Sequence, residues 1–180
     1  FYTHQALTDL ISGWVIRSTE DTVLEPSFGG CGFIRSVRDR LKAISPNASL
    51  NKVYGCDIDQ NAFAHLSTVF EQLVDLDRFH DGDFLRQDYP SSWPDKFDVV
   101  LGNPPYLPYQ QLEVSQRESV LSQLRDSGLD LDRRASLWAY FVGLSVLYTA
   151  GGGRNAWVLP SSFLYANYSK ALRHFLSNSF

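Results

Sequence analysis

The chain has 180 residues, 44% of them hydrophobic, and a formal net charge of -4, so one sizeable core and a single domain are expected. That acidic balance argues against a free-standing DNA-coating protein, which would carry a basic excess, but not against an enzyme whose nucleic-acid grip lies elsewhere. No apolar run reaches the roughly 18 residues of a membrane span and no signal peptide opens the chain, which predicts a soluble intracellular protein without a membrane partner.

Leu7, Leu10, Ile11, Trp14 and Val15 recur at helical spacing and predict an amphipathic helix over 4–18. Residues 21–25, with the short apolar core TVL ending in an acid, predict a first strand, and PSFGGCGF follows as a glycine-rich turn. IRSVRDRLKAI resumes helical periodicity until Ser45-Pro46-Asn47 breaks it. KVYGCDID predicts a second strand and QNAFAHLSTVFEQLVDL a helix; a weak third strand is expected near Arg78–His80, before DGDFL. KFDVVLG is the fourth strand and the most apolar. The NPPY turn leads into a polar segment of about 25 residues, with a short helix near Val114–Arg125, long enough for a functional loop. SLWAYFVGLSVLY predicts a helix, GGG a break, NAWVLP a fifth strand, and Tyr168–Leu176 the start of a last helix. Strands alternating with helices predict an α/β fold, a doubly wound and mostly parallel sheet covered on both faces, with ligands beyond the carboxyl ends of its strands.

The unusual motifs fall at those ends. In LEPSFGGCGF, Gly29, Gly30 and Gly32 permit close backbone approach, and the following helix offers free N–H groups. A bare glycine-rich turn can serve only to join strand to helix, but Glu25 changes the reading. A carboxylate beside that loop repels a pyrophosphate and suits a ligand with an ammonium group, such as an amino-acid moiety. Asp57, in GCDID, stands where doubly wound folds place an acid on ribose hydroxyls, unless it merely ends a strand. Ile58 is placed to lie against an adenine and Asp59 to cap the next helix. In DGDFL, Asp83 suits an exocyclic adenine amine, with Phe84 packed nearby. Glu25, Asp57 and Asp83 together describe a nucleoside joined to an amino acid, hence S-adenosylmethionine rather than NAD.

The fourth strand ends at Asn103-Pro104-Pro105-Tyr106. Proline holds Asn103 extended, and Pro104 and Pro105 have no N–H, so the turn presents acceptors: the Asn103 side-chain oxygen and the Pro104 carbonyl. With the Tyr106 ring beside them, they fit a planar group bearing an NH2. A proline stop explains one of these residues, not all four. Cys31 and Cys56 are too few for a disulfide framework and, like the scattered His4, His65, His80 and His174, match no metal pattern, so no metal is expected. Arg133 and Arg134 suit either DNA phosphates or a solvated loop, and the basic residues of the second helix suit a solvated face.

These motifs resemble the amino-group, S-adenosylmethionine-dependent DNA methyltransferases, specifically the adenine N6 enzymes of restriction–modification systems whose cofactor motifs precede the catalytic one. FYTHQALTDLI resembles that family's leading Tyr-Thr-Pro helix, with His4 in place of proline. EPSFGGCGFI resembles its Asp/Glu-Pro-Ala-Cys-Gly-Ser-Gly-x-Phe-Leu loop, with Phe28 and Cys31 replacing the usual Cys and last Gly, and the Cys31 change bears on how closely a methionine backbone approaches. GCDID, GDFL and DVVLGNPPY match in order and spacing, and SLWAYF, GGGRNAWVLPSSFL and YSKALRHFL resemble the segments that follow. The resemblance implies cofactor contacts from Tyr2, Thr3, Glu25, Pro26, Gly29 and Gly30 around the methionine part. It implies Asp57 on the ribose, Ile58, Asp83 and Phe84 around the adenine, and Asn103 facing the cofactor. It likewise implies that Asn103, Pro104 and Tyr106 receive the target base, with Pro105 the remaining catalytic residue of the turn.

The activity implied is direct methyl transfer to the N6 amine of an adenine flipped out of duplex DNA, in a bacterial or archaeal cytoplasm. Protein glutamine and ribosomal-RNA methyltransferases can carry the same tetrapeptide, and a cofactor-binding fragment without activity of its own is the reading from another class. The family's sheet adds two strands beyond the helix near Tyr168, then a target-recognition region. The zero Met count, the start at Phe1 and the stop at Phe180 therefore predict a truncated catalytic domain over 1–180. Its fifth strand should be a bare edge, with the recognition region supplied by the parent chain or a partner subunit.

Overall fold

The computed structural model of the protein describes residues 3–70 and 76–180. Tyr2 and the expected last turn of the third helix lie outside the described residues. Five strands, β1 (Val23–Glu25), β2 (Val53–Asp57), β3 (Phe79–Asp81), β4 (Phe97–Gly102) and β5 (Thr149–Trp157), form one sheet in the order β3-β2-β1-β4-β5. Every pairing is parallel. The order reverses at β1, where neighbouring connections leave to opposite sides and open a crevice at the carboxyl ends.

Both faces are covered, as parallel pairing requires. Alternate strand residues feed two cores: Val23, Val53, Val99 and Leu101 join one, whereas Leu24, Cys56 and Val100 join the other. The first core carries α1 (Gln5–Val15), α2 (Gly32–Ile44) and α3 (Gln60–Phe70); the second carries α4 (Val114–Asp126), α5 (Leu137–Leu147) and α7 (Ser169–Ser179). A short helix, α6 (Ser162–Tyr165), precedes α7. In α5 every residue from Leu137 to Ser145 is buried, which explains its apolar sequence.

The first helix departs from its expected face. Thr8, Ser12 and Val15 are buried, while Leu10 and Trp14 are 70% and 59% exposed. The cause is a small polar seam with α2: the Ser36 hydroxyl donates to Thr8 Oγ1 at 2.7 Å, and the Thr8 hydroxyl donates to the Gln5 carbonyl at 2.9 Å. Small hydrogen-bonded side chains let the two helices approach closely, and apolar periodicity does not register such a seam. The helix also stops short of residue 18, because the Asp21 carboxylate accepts the Arg17 and Ser18 N–H groups at 2.8 and 3.1 Å. Asp21 is itself held by Arg154 of β5 at 2.8 Å.

The glycine triplet was expected to precede the fifth strand; it lies inside it. The register moves from Phe97↔Thr149 to Val99↔Arg154, so the extra residues of β5 bulge out of the ladder. Gly152 has φ +76, and a Cβ on Gly153 would stand 2.8 Å from the Ala150 carbonyl oxygen. β5 occupies one edge of the sheet, as the sequence predicts.

Candidate active site

The glycine-rich loop between β1 and α2 is fixed from below. Phe28 is buried and packs edge-on against Phe63 and Phe79 at centroid distances of 5.1 and 5.8 Å. It fills the space over Gly55 of β2, where an added Cβ would stand 2.9 Å from the Phe28 ring. Cys31, the cap residue of α2, adopts φ +60 and directs its thiol to the Ala62 carbonyl, 3.7 Å away in the core. Burial pushes that thiol up to about 12, helped by the Glu25 and Asp57 charges and opposed by Arg35. Cys31 is absent from the lining of the recess beside Glu25, whereas Gly30 and Gly32 form its wall. The substitution therefore leaves ligand approach to that recess open.

Three cavities meet at the carboxyl ends of β1, β2 and β4. A recess of about 60 Å³ is lined by Thr3, Glu25, Gly29, Gly30 and Asn103 among others. A cleft of about 300 Å³ is bounded by Pro26, Asp57, Ile58, Asp83, Phe84 and Pro105 on one part of its wall and by Leu107, Gln116, Leu137 and Phe141 on another. The third, about 200 Å³, is lined by Asn103, Pro104, Pro105, Tyr106 and Leu107. Asn103 borders all three. Every described residue singled out from the sequence as a site residue lines at least one of them.

The electrostatics are acidic and incompletely satisfied. Glu25 is 2% exposed, and its Oε2 has no hydrogen-bond partner among the described residues. Burial pushes its carboxyl well above the ordinary value of 4.5 and the Asp57 charge adds to this, against the Ile34 backbone N–H. Above 4.5 the unfolded chain has lost a proton that the folded chain keeps, so this group's contribution to stability falls as pH rises until Glu25 itself ionises, and is level thereafter. Glu25→Gln removes that titration. Calorimetry from about pH 5 to about pH 8 should show the variant's melting temperature gaining on the parent's as pH rises; a constant gap contradicts the assignment.

Asp57 works on both sides of its carboxylate. Oδ2 accepts the Gly29 N–H at 2.7 Å and Oδ1 the Asp59 N–H at 2.8 Å, tying the glycine loop to the turn after β2. Asp59 caps the next helix as expected, accepting the Asn61 N–H at 2.9 Å. The Gly82 N–H donates to the Asp57 carbonyl at 3.0 Å, which brings Asp83 alongside. Ile58 is 72% exposed on the wall, whereas Phe84 is buried beneath it. The Asp83 carboxylate accepts the Leu85 N–H at 2.9 Å and the Gln116 side-chain N–H at 2.6 Å. Gln116, Leu107, Leu137 and Phe141 are wall residues that motif reading misses. Gln116 falls within the long polar segment suspected of function, but nothing local marks its reach to Asp83.

At the end of β4 the Asn103 Nδ2 donates to Thr3 Oγ1 at 3.0 Å, and Oδ1 is buried without a partner among the described residues. The Asn103 backbone carbonyl accepts the Ser27 hydroxyl at 3.3 Å. Tyr106 is 42% exposed, with its hydroxyl donating to the Val158 carbonyl at 2.9 Å, so its ring is pinned to the β5 side. Arg133 and Arg134 sit away from this junction, in ion pairs with Glu118 at 2.6 Å and Asp132 at 3.7 Å. Among the described residues no helix is long and apolar enough to cross a membrane, and no cluster of His, Cys, Asp or Glu could hold a metal ion.

A family model described as Eco57I restriction-modification methylase matches residues 58–180. The chain belongs to that family. It is 26% identical over 182 residues to the type II methyltransferase M.AccI of Acinetobacter calcoaceticus, covering 99% of the chain and 31% of the relative. Among solved structures it is similar to a type I restriction-modification methyltransferase subunit from Streptococcus thermophilus, with a TM-score of 0.77, 20% identity, and coverage of 99% and 38% of the two chains. A Listeria monocytogenes protein classed with the class I S-adenosylmethionine-dependent methyltransferases superposes with a TM-score of 0.68 at 16% identity, over 96% of this chain and 49% of that one. The fold of the chain is the class I methyltransferase fold, and the chain spans about a third of the curated relative's length.

Proposed function

We propose that residues 1–180 are the catalytic domain of a DNA methyltransferase that moves a methyl group from S-adenosylmethionine to the N6 amine of an adenine flipped out of duplex DNA, as the modification activity of a restriction–modification system. The observation that carries this reading is the place of Asn103, at the meeting of three cavities and with a buried acceptor that has no partner among the described residues.

S-adenosylmethionine is the cofactor that the fold and family imply, and the residues fit it. Two buried acceptors without partners among the described residues, Glu25 Oε2 and Asn103 Oδ1, border one recess, and a cationic ligand bearing an ammonium group relieves such a deficit. Glu25, Pro26, Gly29 and Gly30 would hold its methionine part. Asp57 would take the ribose hydroxyls, and Ile58, Asp83 and Phe84 would enclose the adenine. When bound, it supplies an electrophilic methyl group on a sulfonium centre.

The remaining chemistry belongs to the chain. An adenine N6 lone pair is delocalised into its ring and is a poor nucleophile. The Asn103 oxygen and the Pro104 carbonyl, each accepting one N–H of that amine, localise the lone pair and disperse the positive charge that grows as the C–N bond forms. This stabilisation is realised mainly in the transition state. Tyr106, with its hydroxyl held, offers a fixed ring face on which a flipped base stacks, offsetting part of the few kcal/mol that unstacking costs.

A glutamine amide or an RNA base would present the same planar NH2, but the restriction–modification family favours DNA. The edge position of β5 and the small share of the relatives that the chain covers favour a recognition region supplied elsewhere, in the parent chain or a partner, with the reaction in a prokaryotic cytoplasm. The test is to incubate the complete enzyme with methyl-labelled cofactor and duplex DNA and digest the product to nucleosides. Label in N6-methyladenine is expected; label in N4-methylcytosine, RNA or a glutamine side chain overturns the assignment.

A further inference from the structure

An asparagine amide can turn over with almost no change of shape, exchanging its acceptor for a donor pair. At Asn103 that exchange decides the outcome, because an NH2 facing the target amine would oppose donor to donor and leave both unsatisfied. The turn's own backbone does not choose between the two orientations. A residue from the far end of the chain meets the amide on one side: Nδ2 donates to Thr3 Oγ1 at 3.0 Å, and Oδ1 is buried without a partner among the described residues, so that with the Thr3 oxygen accepting it is the amide oxygen that is left for the target amine.

Thr3 is well mounted for this. The next residue, His4, caps α1: its Nδ1 accepts the Ala6 N–H at 3.3 Å and its carbonyl accepts the Leu7 N–H at 2.9 Å. The same helix is fastened to α2 through Ser36, whose hydroxyl oxygen lies 2.7 Å from both Asp9 Oδ1 and Thr8 Oγ1. His4, standing where proline is usual, thus fixes the helix entry that places Thr3 beside Asn103.

We infer that Thr3 is a positioning residue for methyl transfer: its hydroxyl anchors the Asn103 NH2 and thereby keeps the side-chain oxygen available to the target amine. This rests on the reading of Asn103 given above and deepens it. It gives Thr3 a task distinct from holding the cofactor's methionine part.

Thr3→Val removes the anchoring oxygen while keeping the branched shape, and Thr3→Ser keeps the oxygen. In the complete enzyme, Thr3→Val should slow single-turnover transfer about tenfold at saturating cofactor and DNA, the size of one lost hydrogen bond. Cofactor Kd should stay within about twofold, and Thr3→Ser should retain the parent rate. In the ligand-free protein, NMR of the Asn103 side-chain NH2 should show one proton losing exchange protection in Thr3→Val only. In an Asn103→Ala background, Thr3→Val should add nothing, because the two act as one unit. A weaker cofactor Kd with an unchanged saturated rate would make Thr3 a cofactor ligand and overturn the inference, as would additive losses. Full transfer by Asn103→Ala would instead overturn the functional reading itself, whereas a full-rate Thr3→Val beside an inactive Asn103→Ala overturns this inference alone.

Discussion

Replacing Asn103 by alanine should lower methyl transfer by about a thousandfold or more, the scale seen when a preorganised group that stabilises transition-state charge is removed. The amide borders the recess beside Glu25 as well as the cavity at Pro104 and Tyr106, but its atom without a partner among the described residues is an acceptor, and the rate acceleration proposed for it is realised only as the amine becomes cationic. Cofactor affinity, read by isothermal titration, should therefore move by no more than about fivefold, an uncharged hydrogen bond's worth. Equal losses of rate and affinity would show that Asn103 serves the cofactor alone. Parent-like transfer would remove it from the chemistry.

Asp57→Ala should raise the cofactor Kd by about a hundredfold or more, from the loss of charge-assisted hydrogen bonds of roughly 1.5–3 kcal/mol each. Two effects combine. The ribose would lose its carboxylate, and the Gly29 and Asp59 N–H groups, now 2.7 and 2.8 Å from that carboxylate, would lose their common acceptor. Asp57→Asn should not rescue binding, since its NH2 would face one of those N–H donors. Titration of both variants against the parent, with melting temperature recorded in parallel, checks this; Kd values within about threefold of the parent would refute the ribose assignment.

The strand ends were legible because their residue types answer local demands. Parallel strands covered on both faces are apolar throughout, and departures such as Glu25, Asp57 and Asn103 stand out against that background. The third strand was legible only as a weak signal, yet Phe79–Asp81 pairs in register with Gly55–Asp57, because position in a sheet compensates for poor local pattern. What the sequence hides is tertiary. GGG signals a break, and only the pairing of β5 with β4 shows that the triplet is absorbed as a bulge. The exposed Leu10 and Trp14 carry the helical period, while the buried face of α1 carries Thr8 and Ser12. Gln116 on Asp83 and Thr3 on Asn103 join residues 33 and 100 positions apart, and no periodicity encodes such pairs.

The Phe28 ring over Gly55 has a consequence for how a ligand enters. Because the glycine-rich segment is nailed to the sheet by an aromatic that only a side-chain-free neighbour can admit, the berth beside Glu25 is rigid before anything occupies it. Association there immobilises little of the polypeptide, so most of the contact energy is retained as affinity.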